Sequence, residues 1–381
     1  MTVTGLAASD RGLAWGGMVF DIHGLVAVRV EEQTPGAAQL RDMLGPFAGE
    51  SQAAFELLVR GPQPPVPRQS MAEDVYRFTA DSLTLPRDRV TIVRSIDGFR
   101  VEGSGELLTA VIPVLDRLCV MQRTAMVHAA IVDYRGAGVL MPAWGGVGKT
   151  STIAKLVALP GVRFLADDWG FLRGDGTLLG YAKPLFIKPH HREIYPQLFV
   201  GPRKPLAPGR LIAPLSRVAT AVHPVIVRYP RAAAFTRRWS PEHRMVAPVD
   251  VFGSENIASS VPVRLALFLE RFDADDASLH SCTHDWMACR IVGNFHTELP
   301  LVSRRLIEAL GSSGLVPLDR HFSEKTAVVA RALSDVPCKL LRLPVAWSAD
   351  RASDYVTGVV SRLVGALDQA RGEEVVPDAP D

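Results

Sequence analysis

The sequence predicts an α/β protein, a P-loop core with a smaller N-terminal α+β domain. Three observations carry this. Near the centre, an apolar hairpin runs into the glycine-rich stretch AWGGVGKTS (143–151), followed by a helical segment and a short apolar strand. Before it, residues 1–120 alternate short strand-like runs with turn residues. After it, apolar strands alternate with amphipathic helices to about residue 371. The expected division is 1–120, an α+β domain with no catalytic constellation, 121–371, the P-loop domain, and 372–381, an acidic flexible tail.

In chain order, Leu25–Val30, Phe55–Val59, Val75–Phe78 and Val90–Ile92 read as strands, and Ala37–Leu44 as a helix. Gly61–Arg68 (GPQPPVPR) is proline-rich and reads as an extended loop. The longest apolar stretch, Leu107–Met121, is interrupted by Asp116 and Arg117, so it reads as a buried helix and not a membrane span. Met126–Val132 and Val139–Pro142 form a hairpin about the turn Tyr134–Gly138. Thr152–Leu159 has helical spacing and stops at Pro160-Gly161. Val162–Ala166 is a short buried strand ending in Asp167-Asp168, and Phe171–Leu179 is a hairpin with Gly-Asp-Gly at its tip. Beyond it, Val261–Glu270 and Lys339–Pro344 read as strands. Leu301–Leu310, Ser323–Leu333 and Ser353–Ala370 read as helices, the last with its apolar residues on one face.

The run Ala143-Trp144-Gly145-Gly146-Val147-Gly148-Lys149-Thr150 matches the phosphate-loop pattern G-x-x-x-x-G-K-[ST], with Ala in place of the first Gly. Glycines let the backbone N–H groups turn toward an anion, and the helix that follows adds its positive end. Lys149 is expected to reach the β- and γ-phosphates of ATP, the Thr150 hydroxyl to ligate Mg²⁺, and Ser151 to close the nucleotide-binding run. Asp167 and Asp168 follow at the end of the next strand. In an open α/β sheet the ligand crevice lies outside the carboxyl ends of the strands, which places these acids near the phosphates. One would serve Mg²⁺ and the other accept a proton from an attacking hydroxyl.

His128-Ala129-Ala130, Gly136–Leu140, Gly146–Thr150 and Leu165-Ala166-Asp167-Asp168 occur in this order. The series resembles the catalytic domain of HPr serine kinase/phosphorylase and the wider HPr-kinase-like kinases, whose nucleotide-binding core is shared with phosphoenolpyruvate carboxykinases. The resemblance covers about 55 residues, from His128 to roughly Tyr181. It implies a P-loop HPr-kinase-like catalytic core and ATP- and Mg²⁺-dependent phosphoryl transfer to a hydroxyl. It also implies an active-site role for His128, Lys149 as the phosphate lysine, Thr150 toward the metal, and Asp167 and Asp168 as the family's acid pair; Asp168 is read as the base and Asp167 as the metal-side acid, with the reverse order left open. Ala143-Trp144-Gly145-Gly146 stand where the family usually has Gly-Asp-Ser-Gly, and Ser151 where it often has Glu. The family's downstream Glu-containing signature is not seen, which points away from HPr itself as the acceptor. The expected acceptor is a serine of a peptide or protein, or a small hydroxylated metabolite. Relatives often assemble as oligomers, so a homo-oligomer is compatible with the resemblance.

The 381 residues carry 42 Lys+Arg and 40 Asp+Glu, a net charge of +2, which argues against a general nucleic-acid partner. Met1–Phe20 lack a basic start followed by an apolar run, and no membrane partner is expected. The four cysteines are scattered without a CxxC pair, which fits a cytoplasmic protein. Basic residues crowd Arg203–Arg244, where a phosphate or an acidic substrate could meet them, and His190-His191 could line the substrate side. His280, Cys282, His284 and Cys289 are metal-capable, but their spacing does not match zinc sites. Two rival readings are a P-loop ATPase, and a nucleotide-sensing partner protein without kinase activity.

Overall fold

Strands that alternate buried and exposed positions build the first sheet. The computed structural model describes residues 17–62, 76–187, 195 and 244–373. Seven strands, β1 (Gly17–Ile22), β2 (Val26–Glu31), β3 (Phe55–Arg60), β4 (Arg77–Phe78), β5 (Ser82–Leu85), β6 (Val90–Ser95) and β7 (Gly98–Gly103), lie in the order β1-β2-β3-β7-β6-β5-β4. β3 pairs in parallel with both β2 and β7, and the other pairs are antiparallel. The parallel step from β2 to β3 needs a crossover, and the expected helix α1 (Ala37–Leu44) lies in it, burying Leu40, Met43 and Leu44. The apolar stretch ending at Met121 is the helix α2 (Leu107–Met121). Most of the proline-rich run Gly61–Arg68 lies outside the described residues.

The second sheet has eight strands: β8 (Thr124–Tyr134), β9 (Ala137–Pro142), β10 (Val162–Ala166), β11 (Trp169–Arg173), β12 (Thr177–Leu179), β15 (Ser260–Phe272), β16 (Ser278–Cys282) and β17 (Cys338–Pro344). All eleven residues of β8 are buried. Since successive side chains point to opposite faces, β8 is covered on both sides, and its sequence is apolar apart from Thr124, His128, Asp133 and the terminal Tyr134. The pairings close a ring: β8 with β11, β11 with β12, β12 with β15, β15 with β9, and β9 back to β8. Beside it, the Gly180 N–H donates to the Ser259 carbonyl at 2.7 Å and the Tyr181 N–H to the Leu165 carbonyl at 2.8 Å.

This closed ring replaces the open sheet expected from the sequence. β8 lies between β9 and β10 and is antiparallel to both. β9 and β10 therefore run the same way one strand apart, and their carboxyl ends still open on one edge. β9 ends opposite Ala129 of β8, and β10 ends opposite Ile131.

The helices complete the layer. α3 (Lys149–Val157) follows the phosphate loop. Among the described residues it is followed by the short helix α4 (Pro248–Phe252) and by α5 (His284–Glu298), α6 (Leu301–Ser312), α7 (Leu318–Ala332) and α8 (Ala349–Glu373). α6, α7 and α8 cover the three helical stretches read from the sequence; α5 is additional. Among the described residues no helix is long and apolar enough to cross a membrane.

The chain divides into two compact units, Met1–Lys183 with Ala258–Asp381, and Pro184–Ile257. In the first, the boundary expected near residue 120 coincides with the end of α2. One buried cluster runs across it, including Leu57, Ile92, Leu115, Ala129, Phe171 and Phe268. In the second, β13 (Leu185–Ile187) pairs antiparallel with β14 (Arg244–Val246), and Tyr195 meets Phe252 of α4 edge to face.

Candidate functional site

The phosphate loop leaves the carboxyl end of β9 and turns into α3. Gly146 (φ 81°) and Gly148 (φ 109°) take the left-handed conformation that the turn requires. Ala143, which replaces the first Gly of the pattern, is fully buried and bridges to Leu269 of β15. It is not among the residues with positive φ, so its methyl group is accommodated. Lys149 is buried, and its Nζ donates to the carbonyls of Ala143 (2.9 Å) and Trp144 (3.2 Å). Burial lowers its pKa against the pull of Asp168, Asp167 and Glu298.

Asp167 and Asp168 interrupt what would otherwise be one long strand against β8. β10 pairs with Tyr134–Ile131 and β11 continues with His128–Thr124, the register shifting by one between Phe164 and Ala166. A bulge beside a site re-aims side chains. Asp168 is a non-glycine residue at φ 70°, a strained conformation of the kind that collects at functional sites. Its carbonyl still accepts from the Ala129 N–H at 3.1 Å, which fixes the backbone while the carboxylate turns into the cleft.

The geometry joins the two sequence motifs. Thr150 Oγ1 donates to Asp167 Oδ2 at 2.8 Å. The other oxygen, Asp167 Oδ1, is buried with no hydrogen-bond partner among the described residues. Burial and then the charge of Asp168 push the Asp167 pKa up to about 6, against Lys183, the Thr150 hydrogen bond and Lys149. An orphaned buried carboxylate oxygen beside a hydroxyl is what a hard cation takes up, and Mg²⁺ usually uses only one or two such protein groups with the rest from phosphates and water. Thr150 and Asp167 therefore fit the ion, while no cluster of three or more His, Cys, Asp or Glu able to hold a metal is present among the described residues. His280 instead contacts Ser278, and His284 contacts Asp285.

Asp168 is 41% exposed, its Oδ2 ion-paired with Lys183 Nζ at 3.1 Å and its Oδ1 3.8 Å from His128 Nε2. Burial works to raise its pKa, but the contact with His128 and the charges of Lys183 and Lys149 outweigh it and hold the carboxyl well below the usual range. His128, on β8, is paired in register with Trp169. Its Nδ1 is hydrogen-bonded to Asn294 Oδ1 at 3.2 Å, which holds the ring with Nε2 toward Asp168.

No family model matches the chain. Among curated proteins, an HPr kinase/phosphorylase of Shouchella clausii (strain KSM-K16) is 31% identical over 150 residues, 38% of this chain and 45% of that protein. Over those 150 residues the chain is similar to HPr kinase/phosphorylase. It spans less than half of that relative's length. Among solved structures, the Hpr(Ser) kinase/phosphatase from Coxiella burnetii matches with a TM-score of 0.29 and 9% identity, over 64% of this chain and 98% of that one.

At this centre His128, Lys149, Thr150, Asp167 and Asp168 converge. Ser151, also expected there, is buried on α3. Sequence reasoning missed four residues that the fold adds. Lys183 is buried against Asp168 and lies 5.5 Å from the Trp169 ring centroid. Asn294 and Glu298 stand one helical turn apart on α5. Glu298 Oε1 accepts from the Gly145 N–H at 2.9 Å, so a carboxylate sits on the amide of the phosphate loop. Arg271, at the end of β15, reaches the Val147 carbonyl at 3.4 Å. A cap signal for α5 was present: Thr283 Oγ1 accepts from the Trp286 N–H at 3.2 Å, and Met287 and Ile291 follow at helical spacing. His190-His191, the basic run through Arg238, and the acidic tail from residue 374 lie outside the described residues.

Proposed function

We propose that this chain is an ATP- and Mg²⁺-dependent phosphotransferase that moves the γ-phosphoryl group to a hydroxyl of a peptide, a protein or a small metabolite. The observation that carries the reading is the 2.8 Å hydrogen bond from Thr150 to Asp167, beside the unpartnered Asp167 Oδ1. It supports a common centre for the loop and the acids, where Thr150 and Asp167 would hold Mg²⁺. Bound there, the ion would neutralise phosphate charge as the phosphoryl group moves.

The chain's own residues supply the rest. The amides of Gly145–Thr150 and the α3 N-terminus orient the phosphates, and Lys149 leaves its two carbonyl partners to bind them. Asp168, ionised at neutral pH, accepts the proton of the acceptor hydroxyl as its oxygen attacks phosphorus and the bond to the leaving ADP oxygen breaks. Such chemistry depends on position and charge more than on a strong base. Lys183 holds the Asp168 carboxylate in place, and His128, oriented by Asn294, flanks it. The HPr-kinase-like relationship fits this reading.

The test uses γ-labelled ATP, Mg²⁺ and candidate acceptors, a serine peptide and small polyols among them. Lys149→Ala and Asp168→Asn are each expected to lower transfer at least about a hundredfold. ATP turnover that needs no acceptor would make the chain an ATPase. Binding without turnover, indifferent to Asp168→Asn, would make it a nucleotide sensor.

A further inference from the structure

The geometry points to a nucleobase platform formed by the loop after β17, with Trp347 as its stacking ring. This rests on the reading that Ala143–Thr150 hold a triphosphate. β15 pairs in parallel with β9 on one side and with β17 on the other, so the carboxyl ends of all three strands open on one edge. Ligands of α/β sheets sit outside such ends. Asp167 and Asp168 lie across β8, on the opposite side of β9. Along this edge the order is therefore acids, phosphate loop, then the β17 loop. β9 ends level with Phe268 and β17 level with Phe272, so with strands about 4.8 Å apart and about 3.3 Å per residue the two ends stand about 16 Å apart, which leaves room for a ribose between them.

The β17 loop is held against the phosphate loop. Arg271 donates to the carbonyls of Pro344 (2.8 Å) and Trp347 (3.1 Å) while also reaching Val147. The Val345 N–H donates to the Phe272 carbonyl at 2.9 Å. A Cβ placed on Gly148 would lie 3.8 Å from the Ala349 carbonyl oxygen. Lys155, on the helix that follows the phosphate loop, pairs with Asp350 (2.5 Å) and Asp354 (2.6 Å) in the first turns of α8.

What this anchored loop presents is aromatic and partly open. Val345 is 57% exposed, Trp347 is half-buried, and Tyr355 is 36% exposed. The Arg351 guanidinium lies 4.2 Å from the Trp347 ring centroid, and Tyr355 meets the indole edge to face at 5.3 Å. An indole fixed by Arg and Tyr, on a loop tied to a phosphate cradle, is a surface for a flat heterocycle. Bases stack on such rings and on Arg guanidinium planes. The ligand class is a nucleoside triphosphate whose base lies over Trp347 and whose terminal phosphate faces Asp168.

The experiment measures calorimetric affinities for Mg-ATP and for Mg-tripolyphosphate, which has the phosphates and no base. The wild-type protein is expected to bind ATP about tenfold or more tighter than tripolyphosphate. Trp347→Leu should bring ATP to the tripolyphosphate level and leave tripolyphosphate within about twofold; Trp347→Phe should keep most of the difference. Retained tripolyphosphate binding reports an intact loop in the variant. An ATP-to-tripolyphosphate ratio near one in the wild type, or a ratio unchanged by Trp347→Leu, overturns the platform and leaves the phosphate-loop reading standing. Failure of the wild type to bind either ligand overturns both.

Discussion

Replacing Glu298 by Gln tests what the α5 carboxylate does to the phosphate loop. Glu298 Oε1 accepts from the Gly145 N–H at 2.9 Å, and its charge also acts on Lys149. A phosphate entering the loop competes for that amide and meets a negative charge already beside it. A hydrogen bond to a charged group contributes about 1.5–3 kcal/mol net. Glu298 is partly exposed, so solvent screening reduces the competing effect to about 1 kcal/mol. The glutamine keeps an acceptor of similar shape but no charge. Glu298→Gln should therefore bind Mg-tripolyphosphate about fivefold more tightly in titration calorimetry, the equivalent of that energy. The gain should shrink as salt rises. Unchanged or weaker binding refutes the competition and would mean that the carboxylate supports the bound state.

Two further predictions follow from the packing. Asn294 acts as a positioning residue through His128, so Asn294→Leu should lower phosphoryl transfer roughly tenfold, while Asn294→Asp, which retains an acceptor for Nδ1, should restore most of it. Asp116 and Lys325 form a buried ion pair at 2.8 Å, with His321 Nε2 3.4 Å away and the ammonium over the Phe295 ring. Lys325→Met removes the ammonium and leaves the buried Asp116 carboxylate to His321 and the Met126 N–H, which should cost about 3–5 kcal/mol in urea denaturation, whereas a double change to apolar residues recovers most of the loss. Burial acts to raise the Asp116 pKa, but Lys325 and His321 outweigh it and hold it below the unfolded value. The resulting stability is present above the unfolded carboxylate pKa, about 3.9, and is lost as pH falls through the folded value. Acid sensitivity below about pH 4 should therefore weaken in the double variant.

The parts of the site legible in the sequence are those contiguous in the chain. The phosphate loop announces itself because its glycines, Lys149 and Thr150 are consecutive, and the acids because they end an apolar strand one helix later. The edge on which both open was also readable from the carboxyl ends of the two strands, although β8 runs between them. Asn294 and Glu298 were not legible. They reach the site across 166 and 153 residues of chain, on a helix whose apolar face is interrupted by Arg290, Gly293 and Asn294 itself. Lys183 gave only a lone cation after an apolar run, and its meaning depends on the bulge that turns Asp168 toward it. In the first sheet, individual strands and α1 were readable, but pairings such as β3 with β7 are set by long-range register, to which local pattern is blind.

The closed strand ring has a consequence for the path of the chain. The chain departs after Tyr181 and comes home at Ala258, and the flanking residues Gly180 and Ser259 already hold hands through a 2.7 Å bond. Departure and return thus share one doorway, shut by the ring's own backbone. The residues from Pro184 to Ile257, a compact unit of their own, therefore leave and rejoin the chain at a point that the pairing of β12 with β15 has already closed.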